Sequence, residues 1–211
     1  LPAFEAAWDQ GADAIECDVH LTGDGGAIVF HDAAVKDGGG TARALAEQTL
    51  ADLQGLDLGA HLGDAAAGLR MPALADVLAS VPAGKGIVIE IKSGPETLVP
   101  VFAALEAAGL EARQVTLIAF DEDVIARVNN EHPEYAHNWL VSRSYGREGI
   151  APPIEYILSK LYATGAHGLG VSAEPPIEEA FAKAIREAGF GLHVWTLDDP
   201  QEARRLQALR V

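Results

Sequence analysis

Residues 15–32 read IECDVHLTGDGGAIVFHD, which is a strand-like run, a glycine-rich turn and a second short apolar run in succession. The first run starts at residue 12 and is rich in apolar, β-compatible side chains, which predicts a strand over residues 12–19. Residues 22–26 leave too little chain for a parallel crossover, which needs about a dozen residues. Because Asp24-Gly25 is a strong turn signal, we predict a hairpin whose second strand, residues 27–30, returns to the end of the first.

Strand-like and helical patterns alternate along the rest of the chain. The strand-like runs lie near residues 86–92, 114–120, 136–142, 167–172 and 190–196. The helical patterns cover residues 72–81, 96–108, 122–132, 153–164, 177–188 and 200–209, and Leu1, Phe4 and Trp8 predict one more helix before the first strand. Strict alternation implies parallel strands with crossover helices, so we predict an α/β fold of the TIM (β/α)8-barrel type.

The number of β/α units predicts an incomplete barrel. Six units fall short of the eight strands of a standard TIM barrel, so we expect its first and last strands to lie before Leu1 and after Val211. Residues 1–211 would then form a single, incomplete TIM-barrel domain. Residues 33–70 contain a Gly38-Gly39-Gly40 run and only a short helical pattern near residues 49–56. We interpret residues 33–70 as an insertion that forms a lid or shoulder over one barrel face.

Composition and charge restrict the classes of partner. Acidic residues outnumber basic ones by 31 to 15, for a formal net charge of −16. This charge either serves solubility alone or repels phosphate backbones and anionic membranes, so we expect no nucleic-acid partner. An anionic substrate would need a metal ion or a focused Lys or Arg. The single cysteine, Cys17, allows no intrachain disulfide.

Hydropathy predicts a protein without an integral membrane segment. No apolar run reaches the roughly 18 residues that a membrane span requires. The composition is bacterial-like, and both a cytoplasmic and a periplasmic or secreted location stay open. The sequence carries no prediction of the oligomeric state.

Two carboxylates share one face of the first strand. Strand alternation points Glu16, Asp18 and His20 to one side and their neighbours to the other. Two carboxylates in a buried barrel strand are costly unless a cation or hydrogen bonds compensate them, which favours a divalent metal ion. The alternative is an exposed strand end with solvated carboxylates.

A second apolar strand carries two charges on one face. Residues 87–92 read IVIEIK, and Glu90 could complete an oxygen-rich ligand set with Glu16 and Asp18. Lys92 could hold a phosphate group as a point charge. The alternative is a structural ion pair between Glu90 and Lys92 inside the barrel. All these residues lie near carboxyl ends of strands, where TIM-barrel active sites are built.

Histidine and tryptophan supply the remaining candidates. His31 follows the returning hairpin strand and could transfer protons near neutral pH. For His20, both a catalytic and a structural role stay open, because it lies on the same strand face as Glu16 and Asp18. Trp195 ends the last strand and could form an apolar wall for a small alcohol group, or could serve packing alone. We expect surface or core positions for the other histidines, which are His61, His132, His137, His167 and His193. Asp198 and Asp199 precede Pro200 as a helix cap, without chemistry.

Four motifs in register resemble the glycerophosphodiester phosphodiesterase family. They are ECDVHLTGDG at residues 16–25, IVFHD at 28–32, IEIK at 89–92 and VWT at 194–196. Each motif is modest alone, but together they span nearly the whole chain in order. The resemblance implies hydrolysis of glycerophosphodiesters, such as glycerophosphocholine or glycerophosphoethanolamine, to glycerol phosphate and an alcohol, with one Ca or Mg ion bound.

The resemblance also implies roles for individual residues. Glu16, Asp18 and Glu90 match the metal ligands, His31 matches one of two catalytic histidines, and Lys92 matches a lysine that contacts the substrate. The second histidine and a phosphate-binding arginine belong to a His-Arg-Gly segment that residues 1–211 do not contain. We therefore keep open whether residues 1–211 are active as they stand.

Two other functions are compatible with the same residues. One is a noncatalytic, phosphodiester-binding member of the same fold, in which the metal site persists without chemistry. The other is a different metal-dependent barrel enzyme in which Lys92 acts as a base. The hairpin that ends in His31-Asp32 argues against this last function.

Overall fold

Strands and helices alternate throughout the computed structural model, which describes residues 1–36, 40–59, 66–146 and 149–211. The chain divides into two compact units, Leu1–Leu117 and Ile118–Val211, and the division falls inside a strand, β6 (Val115–Ala119). All six strands that the sequence predicts for the barrel are present, each within two residues of its expected limits. Among the described residues, no helix has the length and apolar character needed to cross a membrane.

The first unit contains the hairpin that the turn chemistry predicts. Its elements are α1 (Pro2–Asp9), β1 (Ala14–Leu21), β2 (Ala27–Val29), β3 (Ala34–Lys36), β4 (Ala42–Ala44), α2 (Leu50–Gly55), α3 (Leu74–Leu78), β5 (Gly86–Ile91) and α4 (Leu98–Ala108). Strand β1 pairs antiparallel with β2, with Val19 opposite Val29, and parallel with β5, with Ile15 opposite Ile87. The hairpin prediction is therefore confirmed.

Side-chain alternation along β1 separates its apolar face from its polar face. Ile15, Cys17 and Val19 are buried, and they alternate along the strand with Glu16 and Asp18, which point to its other side. The thiol of Cys17 is free, and burial together with the neighbouring carboxylates raises its pKa. Apolar packing thus holds β1 in the sheet while the opposite face is left for polar groups.

Residues 33–70 carry more structure than the sequence patterns indicated. The predicted helix is α2, whose first turn is capped by the Thr49 hydroxyl accepting from the Asp52 amide at 3.1 Å. The β3–β4 hairpin was not predicted, because its strands are only three residues long. Five buried side chains join this segment to β2, namely Ile28, Val35, Leu45, Leu53 and Met71. The predicted Gly38-Gly39 step and His61 lie outside the described residues.

The second unit repeats the α/β pattern, with its longer strands parallel and one short antiparallel hairpin. Its elements are α5 (Glu122–Glu131), β7 (Ala136–Val141), β8 (Ser144–Gly146), β9 (Gly149–Ala151), α6 (Ile154–Thr164), β10 (Gly168–Ser172), α7 (Glu179–Glu187), β11 (Gly191–Trp195) and α8 (Pro200–Ala208). Strand β10 pairs parallel with both β7 and β11. Asp199 caps α8 as predicted, because its side chain accepts from the Gln201 amide at 2.9 Å.

Candidate functional site

Three carboxylates converge on one face of the paired strands β1 and β5. The parallel register sets Asp18 directly beside Glu90, and Glu16 lies two residues earlier on the same face of β1. One carboxylate oxygen from each of these three residues lies within 4.8 Å of the other two. The tertiary structure therefore brings together the three acidic residues that strand alternation had placed on matching faces.

Lys92 supplies a positive charge to this cluster. Its Nζ lies 2.8 Å from Glu90 Oε1 and 3.1 Å from Asp18 Oδ1. The side chains of Lys92, Asp18 and Glu90 are only 20%, 16% and 11% exposed, so water screens these pairs poorly. The ion pair between Glu90 and Lys92 exists, but one ammonium cannot neutralise three carboxylates.

The pKa values in the cluster reflect this surplus of negative charge. The pKa of Glu16 is raised to about 7, first by desolvation and then by the charges of Asp18 and Glu90. Desolvation also raises the pKa of Glu90, although its hydrogen bond with Lys92 acts in the opposite direction. For Lys92, desolvation lowers the pKa, but the contacts with Glu90 and Asp18 outweigh it and leave the pKa above its ordinary value.

Neutralising Glu16 is expected to stabilise the metal-free protein at high pH. The pKa of Glu16 in the folded protein, about 7, exceeds its ordinary value of 4.5, so the folded state holds the proton more tightly than the unfolded state does. The resulting loss of stability is absent below about pH 4.5, grows as the pH rises to about 7 and is complete above that. Glu16→Gln should therefore raise the melting temperature near pH 8 and change it much less near pH 5.

Melting curves recorded in chelator at both pH values test this expectation. Glu106→Gln, an exposed change in α4, is the matched control and should have a similarly small effect at both pH values. An equal rise at pH 5 and pH 8 for Glu16→Gln would show that charge repulsion is not its cause.

The spacing of the carboxylates fits a divalent cation. Oxygen ligands lie about 2.3 to 2.6 Å from Ca²⁺, so two of them can be up to about 5.2 Å apart around one ion. The limit of 4.8 Å between the oxygens of Glu16, Asp18 and Glu90 falls within that span. The smaller Mg²⁺, with ligands at about 2.0 to 2.1 Å, would need the oxygens to lie slightly closer together.

The hairpin delivers His31 beside this cluster. The Phe30 amide donates to the Asp18 carbonyl at 3.0 Å, which ties the end of the returning strand to β1. The His31 side chain is 75% exposed, and its Nδ1 lies 2.8 Å from Asp32 Oδ1. His31 is also near enough to Glu16 to lower the pKa of that carboxyl, against the larger effects that raise it. An exposed imidazole oriented by a carboxylate is suited to proton transfer.

His20 and Ser93 lie between the hairpin and the end of β5. The His20 side chain is buried, with Nε2 at 3.2 Å from the His31 carbonyl and Nδ1 at 3.5 Å from Ser93 Oγ. Sequence reasoning did not point to Ser93. Its place directly after Lys92, at the end of a strand with a charged face, is the signal that could have identified it.

Among the described residues outside this cluster, His137 has the most enclosed ring. It is fully buried in β7, with Nδ1 and Nε2 at 2.9 and 3.1 Å from the Tyr135 and Gly165 carbonyls. The His167 ring stacks on it at 4.1 Å. These contacts match the core position expected for His137 and involve no group that could react.

Trp195 belongs to the second unit, at the end of β11. Its ring packs edge-on against Phe120, with ring centroids 5.6 Å apart, and Phe120 itself is exposed. Sequence patterns did not single out Phe120, although it follows β6 directly. A substrate-binding role for Trp195 stays a prediction.

Comparison with known proteins identifies relatives along the full chain. Residues 1–211 match the model of the glycerophosphoryl diester phosphodiesterase family. A glycerophosphodiester phosphodiesterase of Caldanaerobacter subterraneus subsp. tengcongensis is 28% identical over 211 residues, which cover 98% of this chain and 82% of that protein. One from Bacillus subtilis is 27% identical, over 97% of this chain and 73% of that protein.

Solved structures show the same fold. A phosphodiesterase of Oleispira antarctica, in complex with the product sn-glycerol-3-phosphate, has a TM-score of 0.85 and 22% identity, over 99% of this chain and 82% of that one. A second structure, from Silicibacter pomeroyi, has a TM-score of 0.82 and 20% identity, over 100% of this chain and 82% of that one. The predicted α/β fold of TIM-barrel type is confirmed. The single incomplete domain, with strands outside residues 1–211, stays a prediction.

Proposed function

The chain belongs to the glycerophosphoryl diester phosphodiesterase family, and from this premise we propose that it hydrolyses glycerophosphodiesters to glycerol phosphate and an alcohol. The observation that carries the proposal is the convergence of the Glu16, Asp18 and Glu90 carboxylates, with the ammonium of Lys92 paired to Asp18 and Glu90. Three carboxylates held this close together, with Glu90 buried and Asp18 half-buried, repel one another unless a cation compensates them, and phosphodiester hydrolysis uses such a cation.

Glu16, Asp18 and Glu90 would hold one divalent ion, Ca²⁺ or Mg²⁺. A bound ion stabilises charge on the phosphate oxygens and lowers the pKa of a nearby attacking hydroxyl. Asp18 and Glu90 are held for this role by the β1–β5 ladder, because neighbouring positions in a parallel sheet keep a constant spacing. Because the pKa of Glu16 is about 7 in the metal-free protein, metal binding near neutral pH must displace a proton from roughly half of the molecules.

Lys92 is suited to bind the phosphate and not to act as a base. Its pKa lies above the ordinary value, since Glu90 and Asp18 stabilise the ammonium. A lysine that stays protonated near pH 7 cannot abstract a proton, which argues against the alternative of a barrel enzyme with Lys92 as base. As a protonated point charge, Lys92 can offset the negative field that an anionic substrate meets on this acidic protein.

His31 would transfer a proton during the reaction. The Asp32 carboxylate accepts from Nδ1–H, which leaves Nε2 free to face the substrate. The geometry resembles the general arrangement in which a carboxylate orients a catalytic imidazole.

Hydrolysis of glycerophosphocholine by the full-length natural protein tests the proposal. We expect release of glycerol phosphate, loss of activity after treatment with EDTA, and recovery on addition of Ca²⁺ or Mg²⁺. Glycerophosphoethanolamine, assayed in parallel, reports the preference for the head group. Binding of metal and glycerophosphocholine without turnover would instead support the noncatalytic phosphodiester-binding alternative. Activity that survives complete metal removal would contradict the metal-dependent mechanism.

A further inference from the structure

We propose that His20 is a positioning residue that holds His31 in place for proton transfer. This inference rests on the proposed function, in which His31 is the residue that transfers the proton. His20 lies on the carboxylate-bearing face of β1, two residues beyond Asp18, but the cluster that could hold a metal ion among the described residues does not include it. Its ring has a different set of contacts.

The His20 ring spans two segments that end at the site. Its Nε2 lies 3.2 Å from the backbone carbonyl of His31, where the hairpin strand has just ended. On the other side of the ring, Nδ1 lies 3.5 Å from Ser93 Oγ, and that oxygen accepts from the Leu21 amide at 3.2 Å. The His20 side chain thus connects the backbone of His31 with the residue that follows Lys92.

One neutral tautomer of His20, with its proton on Nε2, satisfies every contact in this series of hydrogen bonds. The Leu21 amide donates to Ser93 Oγ, the Ser93 hydroxyl donates to Nδ1 of His20, and Nε2–H of His20 donates to the His31 carbonyl. Each group then has one defined role as donor or acceptor. A hydrogen-bond chain with one direction resists rotation of the ring, so it also restrains the carbonyl at its end.

Restraint of the His31 backbone matters because the His31 side chain itself has few contacts. It is 75% exposed, and its hydrogen bond goes to its neighbour Asp32, which is 73% exposed. The backbone is therefore what locates the imidazole relative to the carboxylate cluster. A displacement of about 1 Å in a catalytic group can reduce a rate by about 100-fold.

His20 is less suited to proton transfer than to positioning. It is 7% exposed, and both ring nitrogens face protein groups. A proton shuttle needs a ring nitrogen that reaches substrate or solvent. The exposed ring of His31 meets this requirement.

Kinetics of His20 variants in the full-length natural protein test the proposal. His20→Ala should lower kcat for glycerophosphocholine by about 10- to 100-fold, with KM and the affinity for Ca²⁺ nearly unchanged, because the lost contact positions the proton-transfer group alone. His20→Gln should recover much of the loss, since its amide can donate to the His31 carbonyl. Ser93→Ala should cause a smaller loss of the same kind, and it remains informative if His20→Ala does not fold.

A double-mutant cycle with His31→Ala distinguishes positioning from general damage. If His20 acts through His31, then His20→Ala should have little further effect in the His31→Ala background. Additive losses, equal losses for His20→Gln and His20→Ala, or an unchanged kcat in His20→Ala would each overturn the proposal. Failure of the proposed function would appear separately, as a wild-type protein that does not hydrolyse the substrate.

Discussion

His31→Ala is expected to reduce the hydrolysis of glycerophosphocholine by about 100-fold or more in the full-length natural protein, because general acid or base catalysis contributes about that much. The change should leave folding intact, since the side chain is 75% exposed and exposed substitutions rarely alter stability by more than about 0.5 kcal/mol. It should also leave metal affinity nearly unchanged, because the proposed metal ligands are the carboxylates of Glu16, Asp18 and Glu90 and do not include His31. Steady-state kinetics and calorimetric titration with Ca²⁺ measure the two effects separately.

The second unit offers a matched control for this substitution. His132 is a partly exposed histidine whose Nδ1 lies 3.2 Å from Glu134 Oε1, and His31 pairs in the same way with Asp32 at 2.8 Å. His132→Ala should therefore leave the rate unchanged. Loss of metal binding in His31→Ala would identify His31 as a ligand, and full activity would mean that proton transfer must be assigned to another residue.

Glu90→Gln is expected to weaken Ca²⁺ or Mg²⁺ binding by about 100-fold, and to reduce activity at subsaturating metal accordingly. Replacing groups that merely support metal ligands costs about 10- to 100-fold in affinity, so loss of a direct ligand charge should cost at least the upper part of that range. Glutamine retains the volume of Glu90, which is 8% exposed, so packing should be preserved. Lys92 keeps its contact with Asp18 in this variant.

A second Glu–Lys pair in the chain controls for the loss of an ion pair. Glu122 lies 2.7 Å from Lys160, a separation close to the 2.8 Å between Glu90 and Lys92. Glu122→Gln removes an ion pair of similar length within the second unit, and it should not change metal affinity because Glu122 is not one of the proposed ligands. If Glu90→Gln binds metal as tightly as the wild type, then Glu90 serves only as the structural partner of Lys92.

Local signals predicted most of the secondary structure correctly. The Asp24-Gly25 step and the short connection between two apolar runs were enough to predict the β1–β2 hairpin, because a tight turn depends on a few adjacent residues. The six barrel strands and the helices between them followed from periodicity. The β3–β4 and β8–β9 hairpins were missed, since strands of three residues are too short for a periodic pattern.

Strand periodicity alone was enough to predict which residues share a face, and the motifs that contain those residues carry the family resemblance. The period of two along a strand places Glu16 with Asp18, and Glu90 with Lys92, without any knowledge of the fold. The contacts between these two strand faces follow only from the tertiary structure. The parallel register sets Asp18 beside Glu90 and brings Lys92 within ion-pairing distance of both. The same is true of the contacts of His20 with His31 and Ser93, which lie 11 and 73 residues away along the chain. Contacts at such separations depend on strand register and on the path of the hairpin, and local sequence patterns do not encode either one.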